Sequence, residues 1–212
     1  MRKWLPLILI AADLGFTLAV YQQLPDRVPT HFGTAGPNAT SSKAVAAWVM
    51  PAITLGIWVL LRWLPSIDPR RDNYGAFRWA YDSVVFGVVA ALVVIHATVL
   101  TNAIAPPVPV NQVISITIGA LMMLIGSVLP YARSTWFFGI RTPWTLSSDE
   151  VWTRTHAFAR PLMMLAGLLV MPIGFFRSPT MVAVLVGASG VLIALTVPYS
   201  YFAWKAAGRP AR

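Results

Sequence analysis

Three groups of residues in this chain carry side chains able to do chemistry. Asp13 and His96 stand inside long apolar runs, with Asn102 a further polar residue in the second of those runs. Ionisable groups are expensive in lipid and by default mark function there. Asp13 and His96 are complementary, so they read in one of two ways. They form a proton or ligand site, or they are neutral hydrogen-bonding groups that pin helices together. The further ionisable residues that a proton-carrying chain needs do not accompany them.

The second group is His31 beside Phe32, in a stretch running Leu24-Pro25, Val28-Pro29-Thr30-His31-Phe32-Gly33 and Gly36-Pro37. The prolines favour an extended path, and Gly33, Gly36 and Pro37 supply turn chemistry. An ordered, compact loop is expected. His31 would contact a ligand or sense pH, or simply tie the loop to helix ends. Asp26 and His31 are too few to hold a metal ion, and no metal or other cofactor is expected.

The third group lies between Gly139 and His156. Thr142-Pro143 sets an extended or turning backbone that places Arg141 and Trp144 on an irregular segment. Ser147 with Glu150 has capping-box spacing, which predicts a helix start there. Trp152 and His156, four residues apart, share a face of that helix. Arg141 has a planar donor fork suited to carbonyls, carboxylates or lipid phosphates. The sharper reading joins Arg141, Trp144, Trp152 and His156 into a site that docks a cytosolic regulator. The plainer one makes Arg141 a topogenic charge and the tryptophans interface anchors.

The elements that position these groups follow from composition. The 212 residues are 57% hydrophobic and only 11% charged, and the mean hydropathy is +0.67. A soluble domain carries about a quarter charged residues, so a water-soluble core is excluded. Six apolar stretches are long enough, or nearly so, to span a membrane: Trp4–Tyr21, Ala44–Leu64, Ser83–Ala105, Gln112–Tyr131, Pro161–Phe176 and Thr180–Trp204, the short fifth borrowing a turn from Ala157–Arg160 with Arg160 snorkelling to the interface. The expected fold is an all-α polytopic bundle kinked near Pro51, Pro172 and Pro198, with close helix contact at Gly187-Ala188-Ser189-Gly190. The first span, interrupted by Asp13 and without a small-residue cleavage site, reads as a retained anchor. Three units are expected: 1–64 with the histidine loop, 65–111 with a basic loop and the third span, and 112–212 with the Arg141 loop. Pro65–Asp82 reads as a solvated topogenic segment.

The net charge of +9 reads as the excess that membrane proteins keep on the cytoplasmic side, not as a nucleic-acid surface. With the N-terminus inside, Arg2, Lys3, Arg62, Arg70, Arg71, Arg78, Arg133, Arg141, Arg154, Arg160, Lys205, Arg209 and Arg212 are cytoplasmic. Only Arg27, Lys43 and Arg177 lie outside. Enzyme chemistry has little support. The chain has no cysteine, no G-x-S-x-G and no H-E-x-x-H. Transport is the alternative function, though neither inverted repeats nor paired broken helices are evident.

The loop from Leu24-Pro25 to Gly36-Pro37, behind a first span, resembles a small domain of unknown function found in front of SdpI-like membrane proteins. The string Gly139-Ile140-Arg141-Thr142-Pro143-Trp144-Thr145-Leu146, followed by Trp152 and Thr155-His156, resembles the signature of the SdpI-like toxin-immunity family itself. The resemblance implies a bacterial cell-membrane protein giving immunity to a secreted, membrane-active peptide toxin. It further implies a toxin partner on the outer face and a cytosolic transcriptional repressor as signalling partner, with membrane lipid around the bundle. His31, Phe32, Arg141, Thr142, Trp144, Trp152 and His156 would then contact ligand or partner.

The charge asymmetry makes a topological prediction. Reporter domains fused after Pro37 and after Trp144 should report opposite sides of the membrane, outside and inside respectively. Reporting from the same side contradicts the six-span arrangement.

Overall fold

The structure is a computed structural model that describes residues 4–105 and 107–208. Arg2, Lys3, Arg209 and Arg212 of the charge count lie outside the described residues. Six helical stretches are long and apolar enough to cross a membrane: Leu5–Gln23, Lys43–Ile67, Arg71–Ile104, Val110–Tyr131, Asp149–Phe175 and Pro179–Ala206. The chain is a multi-pass, all-α membrane protein. Lipid offers the backbone no hydrogen bonds, so each crossing satisfies its own as a helix. Residues such as Ile8, Leu18, Leu168, Val184 and Val191 are exposed and face outward.

The helices are α1 (Leu5–Val20), α2 (Lys43–Ile67), α3 (Arg78–Ile104), α4 (Val110–Val128), the single turn α5 (Pro143–Ser147), α6 (Asp149–Val170), α7 (Pro179–Ala194) and α8 (Thr196–Ala206). The Ser42 hydroxyl caps α2 by accepting from the Val45 N–H at 3.4 Å. Prolines punctuate the spans. α2 runs through Pro51, α6 gives way to a 3-10 turn at Met171–Phe175 around Pro172, and α7 and α8 part at Leu195, just before Pro198.

Four local expectations are revised. The histidine loop is a β-hairpin of β1 (Arg27–Gly33) and β2 (Gly36–Ser42), antiparallel, with register shifts on either side of His31. Its Thr-Ala turn is closed by Gly36, whose φ of 117° suits glycine. The hairpin was hard to read because β2, Gly36-Pro37-Asn38-Ala39-Thr40-Ser41-Ser42, has no apolar alternation. The fifth span borrows more than the one turn Ala157–Arg160: its helix begins at Asp149 and continues unbroken through Pro161. Its cap is Ser148, which accepts from the Val151 N–H at 3.4 Å, and not Ser147, whose hydroxyl donates to the Trp144 carbonyl at 2.9 Å. The two adjacent serines compete for one role, and the extended φ and ψ of Ser148 decide it.

The fourth revision concerns helix packing. A Cβ built on Gly187 or Gly190 meets nothing within 4 Å, although the intervening Ser189 hydroxyl reaches the Ala166 carbonyl at 3.3 Å. The close approach lies between α4 and α6. A Cβ on Gly119 would stand 2.5 Å from the Gly167 carbonyl oxygen, and one on Gly167 would stand 2.6 Å from that of Gly119. Backbones in direct contact gain dispersion that lipid cannot supply. Met122, Met123, Met163 and Met164 fill the space beside this seam, against Gly167 and Gly126.

Enlarging the seam should be costly. Gly167→Leu forces a side chain into the Gly119 backbone and should destabilise the bundle by about 1–3 kcal/mol. Gly187→Leu has open space and should cost nothing measurable. Thermal unfolding of both variants in detergent checks the contrast.

Candidate functional site

The bundle has two structured ends and one buried polar centre. The hairpin, residues 107–109 and residues 171–178 lie at one end, where α1, α3 and α6 finish and α2, α4 and α7 begin. The segments 68–77 and 129–148 lie at the other.

The polar centre is the pair read from the sequence. His96 Nδ1 is 2.9 and 3.0 Å from the two carboxyl oxygens of Asp13, and both side chains are 1% exposed. His96 Nε2 is 3.2 Å from the Ala46 carbonyl oxygen. A carbonyl can only accept, so Nε2 carries a hydrogen and donates it. The pair joins α1, α2 and α3. Thr17 adds a turn of support by donating to the Asp13 carbonyl at 2.8 Å. With every polar atom of the His96 ring occupied, this geometry is that of a clasp.

At the hairpin end, Val28, Leu24 and Val20 pack with Ala46, Ala47 and Leu100 and anchor the base of the hairpin to α2 and α3. Asn111 Nδ2 donates to the Gly33 carbonyl at 2.9 Å and holds the tip over α4. Asn102 Oδ1 accepts from the Val108 N–H at 3.2 Å and shapes the neighbouring turn. Between the tip, residues 107–109 and residues 174–177 lies a cleft of about 430 Å³, with Arg177 in its lining. Below it an apolar groove of about 520 Å³ runs between α4 and α7 along Ile114, Ile118, Val182 and Val186. Phe32, Thr34, Asn111 and Phe176 line both. Of the two hairpin residues singled out in the sequence, Phe32 lines both spaces. His31 is exposed on the hairpin, lines neither space, and has its Nδ1 3.2 Å from its neighbour Thr30.

The opposite end holds the residues that sequence reasoning singled out most strongly. Trp152 and His156 stack at 4.1 Å and are buried in α6. The Trp152 Nε1–H donates to the Ala132 carbonyl at 2.8 Å. His156 Nδ1 donates to the Trp152 carbonyl at 2.8 Å, and its Nε2 accepts from the Ile140 N–H at 2.9 Å. Gly139 makes this possible. Its φ is 100°, and a Cβ there would lie 2.6 Å from His156 Nε2. Thr142 caps α5 in a reciprocal capping box with Thr145, and its hydroxyl is 3.1 Å from that of Ser200 on α8. Trp144 meets Tyr201 edge-on at 5.2 Å. Arg141 stands apart from this core, exposed, with Nη1 donating to the Trp136 carbonyl at 2.6 Å. The structure brings Trp152 and His156 together, sets Thr142 and Trp144 against α8, and leaves Arg141 at the surface beside exposed Trp136 and Phe137.

Sequence reasoning missed what holds this platform. Pro65–Asp82 is not a solvated segment. Asp68 is 2% exposed and accepts from the N–H groups of Arg70 (2.7 Å), Trp136 (2.9 Å) and Phe137 (3.2 Å) and from the Tyr74 hydroxyl (3.0 Å). The Arg70 guanidinium donates to the Ser134 hydroxyl and, at 2.8 Å, to the Leu146 carbonyl. Asn73 donates to the Ser134 carbonyl at 2.7 Å. Phe77, Tyr74 and Tyr81 pack with Trp152 and Val128 in one buried cluster. The available sequence signal was the aromatic pair Tyr74 and Phe77, too apolar for a loop bathed in water.

Comparison with known proteins bears out the resemblance read from these motifs. Residues 131–200 match the SdpI/YfhL protein family, and residues 8–55 match a domain of unknown function, DUF1648. The chain is also similar to Immunity protein SdpI of Bacillus subtilis (strain 168), with 20% identity over 204 residues and 96% of each chain covered. No solved structure matches the chain.

Asp68 should be the most sensitive polar residue of the platform. Asp68→Ala orphans four donors, and the loss of hydrogen bonds to a charged group should cost about 1.5–3 kcal/mol or more. Exposed Asp72→Ala should be neutral. Limited proteolysis of segment 132–148 reads the difference, with faster cleavage in the Asp68 variant alone.

Proposed function

We propose that this chain is a bacterial membrane immunity protein that protects its cell against a secreted, membrane-active peptide toxin. The observation that carries the reading is the end-to-end similarity to Immunity protein SdpI, together with the family match over residues 131–200. On this reading the hairpin end faces outward and both termini lie inside. The cleft around Phe32 and Thr34, with Asn111, Gln112 and Arg177 among its apolar walls, above an apolar groove suits an amphipathic peptide, whose polar backbone needs partners while its apolar side chains need a dry surface. His31, exposed on the hairpin, meets the peptide as it arrives. The Asp13–His96 clasp keeps α1 and α3 together beneath the cleft.

The platform at the other end then serves as the inner face. Arg141 spends one N–H on the Trp136 carbonyl and presents the rest of its fork to solvent beside Trp136 and Phe137. That arrangement of a cation and exposed aromatics suits docking of a cytosolic regulator. A charged hydrogen bond from Arg141 is worth roughly 1.5–3 kcal/mol, enough to bias a two-state bundle about tenfold or more.

Cells with and without the gene, challenged with a membrane-active peptide toxin of the sensitive host, test the proposal. Expression should raise the tolerated dose. Phe32→Ala and His31→Ala should lower protection at unchanged membrane levels. Arg141→Lys keeps the charge but loses the planar fork, and should abolish relay to a reporter gene while leaving protection intact. Equal sensitivity with and without the gene overturns the immunity reading.

A further inference from the structure

Beyond the platform core, the ends of α2 and α3 enclose a separate cleft of about 300 Å³, within the size range of ligand pockets. Three guanidiniums line it, from Arg62, Arg71 and Arg78, against a single carboxylate, Asp82. Arg62 Nη1 is 3.0 Å from Asp82, and Arg78 Nε is 4.0 Å from the other carboxyl oxygen. The Arg71 side chain makes no hydrogen bond or ion pair among the described residues, whereas its neighbour Arg70 donates to the platform through both Nη1 and Nη2. One carboxylate against three cations leaves the cleft two positive charges in excess. The three hydroxyls on its wall are directed elsewhere: Ser66 donates to the Trp63 carbonyl at 2.6 Å, Tyr74 to Asp68, and Tyr81 to the Leu61 carbonyl at 2.5 Å. Gly75, midway between Arg71 and Arg78, has nothing within 4 Å of where a Cβ would lie, so the cleft is open there.

Its depth is marked by two tryptophans. Trp63 and Trp79, each adjacent in sequence to a lining arginine, are 54% and 46% exposed. Exposed tryptophans at helix ends sit at the level of lipid headgroups. A basic pocket between helix ends at that level suits a headgroup phosphate, and the arginine fork matches its oxygens two at a time.

We propose that this cleft binds a phosphate oxyanion, that of an anionic phospholipid headgroup, through Arg62, Arg71 and Arg78. Asp82 holds Arg62 and Arg78 in place, and Arg71 closes over the anion. The site does not depend on the immunity reading.

The full-length protein is placed in bilayer nanodiscs of mixed phosphatidylglycerol and phosphatidylcholine, then extracted gently and weighed by native mass spectrometry with its retained lipids. The parent should retain phosphatidylglycerol about tenfold over phosphatidylcholine. The double variant Arg71→Gln/Arg78→Gln, which spares the part-buried Arg62–Asp82 pair, should lose the preference. Arg133→Gln, an exposed arginine outside the cleft, should keep it. A parallel arm adds inorganic phosphate. Retention of lipid in its presence assigns the site to the headgroup, and displacement assigns it to free phosphate, each upholding an oxyanion site. Undiminished preference in the double variant, or equal loss in Arg133→Gln, overturns the proposal.

Discussion

One buried carboxyl group organises the loop-bearing end of this molecule. Asp68 leaves α2 just as the chain exits the apolar layer, and it receives one hydroxyl and three backbone N–H groups. Two of those N–H groups come from Trp136 and Phe137, in a segment without regular structure of its own. Such a segment cannot satisfy its backbone internally, and burying its groups unpaired would cost more than the packing returns. Asp68 resolves that conflict. With the 136–137 backbone fixed, Phe138 stacks on Phe77 at 5.7 Å, Gly139 turns, and Ile140 delivers its N–H to His156. The family-matching segment thus rests on a residue outside it.

The opposite end is built on a different principle. The hairpin owes its place to a small apolar base under Val28 and to Asn111 at its tip. Few contacts hold the region between tip and turn, so a cleft remains there instead of a core. Between the two ends, the Gly119–Gly167 seam and the Asp13–His96 clasp use the only interactions that lipid does not also offer, close backbone contact and hydrogen bonding. They bind different halves: the seam joins α4 to α6, while the clasp joins α1, α2 and α3.

The arginines show how one sequence feature divides into unlike roles. Positive charge near span ends sets orientation in bulk, and on that level Arg62, Arg70, Arg71, Arg78 and Arg141 are equivalent. Arg70 is a structural donor to the platform, Arg62 is ion-paired, Arg141 caps one carbonyl at the surface, and Arg71 is uncommitted among the described residues. Only the positions of the acceptors that the fold brings to each guanidinium separate them.

Local information in the sequence was enough for the six spans, the extended Thr142 before Pro143, the shared face of Trp152 and His156, and the motifs that carry the family resemblance. Hydropathy, proline geometry and helical periodicity act over a few residues, so they can be read from a few residues. Tertiary structure decided the rest. Asp68 meets Trp136 across 68 positions, and Asp13 meets His96 across 83. The sequence suggested the second partnership because both residues are anomalous in lipid. It gave no hint of the first, since an aspartate in a polar loop is unremarkable until a distant backbone needs an acceptor. The same reason separates Gly119 and Gly167 from Gly187 and Gly190. Small residues permit close approach, but the neighbouring helix determines where it occurs.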